Sequence, residues 1–156
     1  MGKNPGKMFE EDFVASIPDK CDITRLKDGG GWSNATNTRF TSKNPCDFIV
    51  YSSRGLFGKM YKLELKSTLG KSLPLPNIKD YQLNSLCESG DKLVDAGFVV
   101  NFRDVNETFF VEAAEVWIFK TTSDRKSIPL EWFRDKATMI QQSLKITRYK
   151  YDLDWL

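Results

Sequence analysis

Two apolar-rich runs organise the first half of the chain: Asp47-Phe48-Ile49-Val50-Tyr51 and, across a short turn, Tyr61-Lys62-Leu63-Glu64-Leu65-Lys66. Both read as strands. Side chains on a strand alternate faces with a period of two, so Leu63 and Leu65 point one way and Lys62, Glu64 and Lys66 the other. Paired as a hairpin, the runs bring Asp47 to the face that carries Glu64 and Lys66. A second strand pair is predicted at Ala96–Phe102 and Thr108–Val111, around the turn Asp104-Val105-Asn106-Glu107. Helical spacing covers Lys7 to Ser16, with Met8, Phe9 and Phe13 on its apolar face and Pro18 beyond its end. It recurs from Ile78 to about Leu93, with Leu83, Leu86 and Cys87 inward and a break near Gly90. A short helix is predicted over Ala113–Phe119, and another from Pro129 that carries Leu130, Trp132 and Phe133. Leu73-Pro74-Leu75-Pro76-Asn77 reads as an extended connector. The glycine-rich, aperiodic stretch Asp28–Arg39 reads as a mobile loop. This order predicts a single α/β domain over residues 1–156, a mixed central sheet flanked by helices.

Composition narrows the chemistry. The chain has no histidine, which excludes Ser-His-Asp hydrolases, H-E-x-x-H zinc peptidases and zinc deaminases. An enzyme built from it must use carboxylates, lysines, tyrosines, cysteines or bound water. The triple glycine is not followed by a G-K-[ST] signature, so an ATP site is not expected. Three widely spaced cysteines fit reduced thiols. No apolar run is long enough to span a membrane, and the N-terminal charges precede no apolar core, so a cytoplasmic location is expected.

Charge is asymmetric under a net +2: Lys20 to Lys79 holds eleven basic residues against four acids, and from Asp80 onward ten face thirteen. A basic half around a carboxylate pair suggests that a polyanion approaches the site, although a solvated basic face would look the same. Two carboxylates offer hard oxygen ligands to a divalent cation, and a neighbouring lysine can stabilise a hydroxide aimed at a phosphate. That is the equipment of a metal-dependent phosphodiesterase.

Asp47 followed by Glu64-Leu65-Lys66 resembles the D…E-x-K core of the restriction-endonuclease-like nucleases. Asn4-Pro5-Gly6-Lys7-Met8-Phe9-Glu10 is similar to the N-terminal N-x-G-x-x-[FL]-E of the RecU Holliday-junction resolvases. Glu64-Leu65-Lys66-Ser67-Thr68, then Ser72-Leu73-Pro74-Leu75, Asn77-Ile78 and Gln82, resembles that family's E-x-K-x-T…S-F-P-L…N-I…H-Q segment. Gly97–Phe102, Phe109–Val111 and Lys126–Ile128 follow in the family's order, so the resemblance covers most of the chain. The chain departs from the family in three places. About twenty residues lie between Arg25 and Asp47 where the family carries a longer junction-entering stalk, the Thr-Pro element before that stalk is not recognisable, and Tyr81 stands where the family has His.

The resemblance implies a restriction-endonuclease-like fold and a Mg²⁺- or Mn²⁺-dependent endonuclease that nicks four-way DNA junctions in recombination or repair, as a homodimer. A compact chain of this kind fits a bacteriophage version. Position by position it implies that Asp47 and Glu64 bind the metal with the Leu65 carbonyl, and that Lys66 positions or activates the attacking water. Glu10 becomes a further ligand or water-holder, and Gln82 orients Lys66 or the substrate phosphate. The stretch at about 28–43 takes the place of the stalk. Against these stand plainer readings: Glu10 as a helix N-terminal acid, Gln82 as a solvent-facing helix residue, Asp47 as a strand-start acid and Lys66 as a surface partner of Glu64. Lys7, Arg25, Lys27, Arg39, Lys43, Arg54, Lys59 and Lys71 are candidate phosphate contacts, and Trp32 a candidate base-stacking residue. Trp117, Trp132 and Trp155 read as core or dimer-interface residues. Two rival readings remain: a same-fold restriction-like or flap endonuclease, and a non-catalytic DNA-binding module.

Overall fold

Lys59–Thr68 is the longest strand, and its alternation determines what lies on either side of the sheet. A computed structural model describes residues 4–27, 30–33, 35, 38–41 and 43–156, with only the backbone of 30–33 and 38–41. In chain order the elements are α1 (Pro5–Ala15), β1 (Cys21–Arg25), β2 (Gly30–Ser33), β3 (Thr38–Thr41), β4 (Phe48–Ser52), β5 (Lys59–Thr68) and β6 (Ser72–Pro74). A 3₁₀ turn (Leu75–Asn77) leads to α2 (Asp80–Gly90), β7 (Asp95–Phe102), β8 (Glu107–Glu112), α3 (Ala113–Thr122), β9 (Ser127–Pro129) and α4 (Leu130–Lys136). The chain ends with β10 (Thr138–Ile140), β11 (Gln142–Lys145) and β12 (Arg148–Tyr151).

The central sheet runs β1-β4-β5-β7-β8-β10. β4 and β5 pair antiparallel as predicted, Phe48 opposite Leu63. β5 and β7 are parallel, and such a pair needs a crossover, which α2 supplies. Leu63 and Leu65 face a core formed with Phe9 and Phe13 of α1 and with Tyr151, Leu153 and Leu156 of the C-terminal segment. Phe98, Val100 and Phe102 of β7 face the opposite core, with Leu83 and Leu86 of α2, Val116 of α3 and Phe133 of α4. The sheet is therefore buried on both faces, and any polar group on the α2 side of β5 is drawn into that layer.

Several elements differ from the pattern reading. The stretch 28–39, expected to be a loop, contains an antiparallel ribbon, β2 against β3, with Trp32 opposite Arg39. Trp, Thr and Phe favour a strand there despite the glycines. Helix α2 starts at Asp80 because the proline-rich connector ends in a 3₁₀ turn and Ile78 is extended. Pro129 lies at the cap of α4 rather than within it. Trp117 is 48% exposed and so is no core residue, whereas Trp155 stacks on Phe110 and Trp132 packs against Phe119 and Phe133. The C-terminal strands were not predicted. Their hairpin fastens α1 through Arg148, which holds Glu11 and the buried Asp12, while the Tyr149 amide donates to Asp12. No helix among the described residues is long and apolar enough to cross a membrane.

Candidate active site

The β4–β5 pairing ends at Phe48 and Leu63, and the next residues of β5 meet Asp47 instead of a strand. The Asp47 amide donates to the Leu63 carbonyl at 3.1 Å, and its Oδ2 accepts from the Leu65 amide at 2.8 Å. One carboxylate oxygen thus continues the ladder that β4 no longer provides. The N–H and C=O of a strand residue project from the same edge, so the Leu65 carbonyl faces the Asp47 side. Asp47 is held from behind as well: its carbonyl accepts from the Leu26 amide at 2.8 Å, and Asn44 Nδ2 donates to the Lys27 carbonyl at 2.8 Å. These contacts close the neck of the β2–β3 ribbon beside Asp47. The sequence reading passed over Asn44, although an Asn-Pro dipeptide just before Asp47 is a turn signal.

Glu64 points to the α2 face and is 2% exposed. Its Oε1 accepts from Lys66 Nζ at 2.7 Å and from Gln82 Nε2 at 2.7 Å, and Lys66 Nζ also lies 3.4 Å from Gln82 Oε1. Gln82, on the first turns of α2, is buried and clasps both charged groups; it is not the solvent-facing residue of the plainer reading. Glu64 Oε2 is sealed from solvent with no hydrogen-bond partner. Burial, and then the negative charge of Asp47, push the Glu64 carboxyl up to about 7, against the pull of Lys66 and Gln82. The neighbouring Cys46 is buried, and its thiol is raised to about 11, first by burial, so it is poorly suited to act as a thiolate.

The other predicted residues separate into groups. Glu10 does not join Asp47 and Glu64. Its Oε2 accepts from Arg25 at 2.6 Å, and among the described residues no three His, Cys, Asp or Glu side chains form a metal-holding group. Glu10, Lys7 and Arg25 instead line a cavity of about 390 Å³ between α1, β1 and Phe48. Arg25 at the end of β1, Lys27 beyond it and Lys71 beyond β5 lie at the sheet end that carries the carboxylates. Lys43 packs over the Tyr81 ring at 5.6 Å, next to Gln82. Arg54 and Lys59 do not reach this end. Lys59 opens β5, five residues and about 17 Å before Glu64, and holds Asp95. Arg54 donates to the Asp154 and Trp155 carbonyls. The Trp32 and Arg39 side chains lie outside the described residues. A cavity of about 640 Å³ lies between the end of α1 and the β11–β12 hairpin and is lined by neither Asp47 nor Glu64.

The family model described as "RecU: Recombination protein U" matches residues 8–151. The chain belongs to the RecU family. A curated relative, Holliday junction resolvase RecU of Oceanobacillus iheyensis, is 30% identical over 87 residues, which is 53% of this chain and 44% of that protein. The chain therefore matches less than half the length of this RecU relative. Among solved structures, the Holliday junction resolvase Hjc of Archaeoglobus fulgidus superimposes with a TM-score of 0.50 at 12% identity, covering 78% of this chain and 84% of that one. At that identity the likeness shows a shared fold, the mixed sheet flanked by helices. In this RecU-family chain, Asp47, Glu64, Lys66 and Gln82 all fall inside the matched span.

Proposed function

We propose that this chain is a divalent-metal-dependent endonuclease that nicks branched DNA, with the four-way junction as substrate and a two-fold pair of subunits delivering symmetric cuts. The observation that carries this reading is Glu64 Oε2, a carboxylate oxygen buried with no donor beside a second carboxylate. The large majority of buried side-chain oxygens have a hydrogen-bond partner, so an orphaned one calls for a ligand. An oxygen left open beside Asp47 fits a hard cation such as Mg²⁺ or Mn²⁺, and the Leu65 carbonyl edge adds a third oxygen of suitable kind.

When bound, the cation would supply Lewis acidity toward a phosphate oxygen and lower the pKa of water. Asp47 would hold it from the β4 side and Glu64 from the α2 side. Gln82 keeps Glu64 turned so that Oε1 is occupied and Oε2 remains open. Lys66, fixed by Glu64 and Gln82, presents an ammonium to the phosphate as negative charge builds on its oxygens, where a positioned cation has most effect. Arg25, Lys27, Lys43 and Lys71 line the approach and attract the backbone. The relatives' names support the junction as substrate, and the intact Asp47, Glu64 and Lys66 weigh against a purely binding role.

The test is incubation of the purified chain with labelled four-way junction and matched linear duplex, with Mg²⁺ and then with EDTA. Junction nicking that EDTA abolishes is expected. Cleavage of both DNAs alike would move the assignment to a restriction-like enzyme, and binding without cleavage to a recognition module.

A further inference from the structure

Helices α2 and α3 pack side by side on one face of the sheet, and the seam between them is open. A cavity of about 420 Å³ in the seam is lined by Asn84, Cys87, Glu88 and Asp91 of the α2 side and by Ala114 and Trp117 of α3. A second, of about 380 Å³, shares Cys87, Asp91 and Ala114 with the first and continues to Leu93 and Glu112. The two form one groove. The α2 positions recur at helical spacing on one face, and from Asn84 to Asp91 they span about 10 Å, or two turns. The groove begins beyond Gln82 and runs away from Glu64, toward the start of β7 at Asp95.

Leu93, at the far end, is held in an unfavourable conformation. The Ser89 carbonyl accepts from the Val94 amide at 3.2 Å and the Gly90 carbonyl from the Leu93 amide at 3.1 Å. This pair of bonds closes α2 in a motif that places glycine at the position Leu93 occupies. Leu93 has a φ of 62°, in the left-handed region, and its side chain is 96% exposed. A leucine gains nothing there from burial within the chain to offset the backbone strain. Such an outlier points to a contact outside the chain. Trp117, 48% exposed, offers a second large apolar surface on the same groove.

Charge decides what covers it. Glu88, Asp91, Asp95 and Glu112 line the groove, and no lysine or arginine does. Asp95 holds Lys59, whereas among the described residues no ion pair engages Glu88, Asp91 or Glu112. DNA is repelled by such a rim. A second copy docked here about a two-fold axis would set these acids against themselves. We propose that the α2–α3 groove docks a cationic amphipathic helix of a partner protein, its apolar row on Trp117 and Leu93 and its basic residues against Glu88, Asp91 and Glu112. Two parallel helix walls with apolar anchors and a charged rim suit a helix laid into a groove. This site is separate from the carboxylate site and does not depend on the nuclease reading.

The experiment measures anisotropy of a fluorescent leucine–lysine peptide patterned as an amphipathic helix, beside a leucine–glutamate peptide of the same pattern. Wild type should bind the lysine peptide and not the glutamate one, against its own net charge of +2. Trp117→Ala and Asp91→Lys should each weaken that binding by roughly 10-fold or more. Asp152→Lys changes the net charge equally on the other face of the sheet and should leave binding as it was. Leu93→Gly should weaken binding while melting no lower than wild type, because glycine relieves the strain and the leucine packs on nothing in the chain. Equal binding of the two peptides by wild type, binding of neither, or unchanged affinity in Trp117→Ala would overturn the proposal. So would an equal loss in Asp152→Lys, which would mark attraction to the whole molecule. A Leu93→Gly chain that melts lower and binds as wild type would show that Leu93 serves the fold, and would overturn it as a contact. Sedimentation without peptide covers the remaining occupant: a wild-type dimer that Trp117→Ala turns into a monomer would give the groove to a second copy and overturn the partner helix.

Discussion

Lys59 and Lys66 lie on the same strand, and each holds a carboxylate. Lys59 meets Asp95 at 3.2 Å with both side chains about half exposed, and Lys66 meets Glu64 at 2.7 Å with side chains 17% and 3% exposed. The first pair behaves as the surface rule predicts: Asp95 raises the Lys59 ammonium first through its hydrogen bond and then through its charge, while water competes for both groups. In the second pair burial dominates. Glu64 is pushed up to about 7 although Lys66 and Gln82 both bond to it. A lysine and a carboxylate therefore form a surface decoration at one end of β5 and an energetically costly cluster at the other. The cost is borne where Asp47 adds a second negative charge and Oε2 has no donor, which is the condition a cation would relieve.

The sharpest way to break this contrast is to remove the carboxylates. Asp47→Ala or Glu64→Ala should reduce junction cleavage by roughly 10³-fold or more, while junction affinity in EDTA stays near wild type, since deleting an acid from a basic approach does not weaken phosphate attraction. Gel-based cleavage and anisotropy on the same preparations read the two effects, and retained cleavage in either variant would dissolve the assigned site.

Lys66→Ala should cost on the order of 10²-fold in kcat with KM little changed, because its charge is needed mainly as the phosphate becomes more negative. Mn²⁺ binding measured by calorimetry should persist. Activity within a few-fold of wild type would make Lys66 a second Lys59. Gln82→Ala is expected to be milder, roughly 10-fold or somewhat more, as for residues that orient a ligand without reacting. The pH profile of kcat should also move, because Gln82 is one of two donors that stabilise ionised Glu64.

How much of this was legible in the sequence depends on which physical signal each part left. Period two in Tyr61–Lys66 set the strand, its two faces and the convergence of Asp47 and Glu64, and the structure keeps all three. The apolar faces of α1 and α2 were equally plain from Phe9, Phe13, Leu83 and Leu86. The ribbon was missed because glycines mask the β-formers among them. The C-terminal hairpin was missed because its strands are short and partly exposed. For Glu10, a motif placed the residue in the right segment, but only the fold reveals Arg25 at 2.6 Å across from it. Spacing also cannot show that Arg54 and Lys59 sit at the far end of the strand from the acids, and counting charges by chain segment merged the two ends.

A smaller effect concerns stability. Glu64 has a folded value of about 7 against an ordinary 4.5, so between those limits the folded state binds more protons than the unfolded one. Stability therefore falls as pH rises through this window, and the full cost is present above about 7. Glu64→Gln removes the charge and can keep an amide against Gln82. In EDTA at pH 8 it should be more stable than wild type, by no more than about 3 kcal/mol, and the advantage should fade toward pH 4.5. Urea melts at the two pH values measure this. Saturating Mg²⁺ should narrow the gap by stabilising wild type alone, whereas a variant less stable than wild type at pH 8 would mean that the Lys66 bond outweighs burial.

The least effect is expected at the other end of the strand. Lys59→Ala removes a lysine that was counted among the candidate phosphate contacts, yet its partner is Asp95 and its position is about five residues below Glu64. Junction cleavage, the melting temperature and the salt slope of junction binding should all stay at wild-type values. The salt slope is the discriminating quantity, because each phosphate contact contributes close to one to it whatever its strength. A slope lowered by about one in Lys59→Ala would mean that DNA extends along the whole length of β5, with Asp95 displaced on binding. Asp95→Asn decides between the two cases. If Lys59 does reach DNA, freeing it from Asp95 should tighten junction binding, and if the pair is only a surface contact, Asp95→Asn should leave binding as it was.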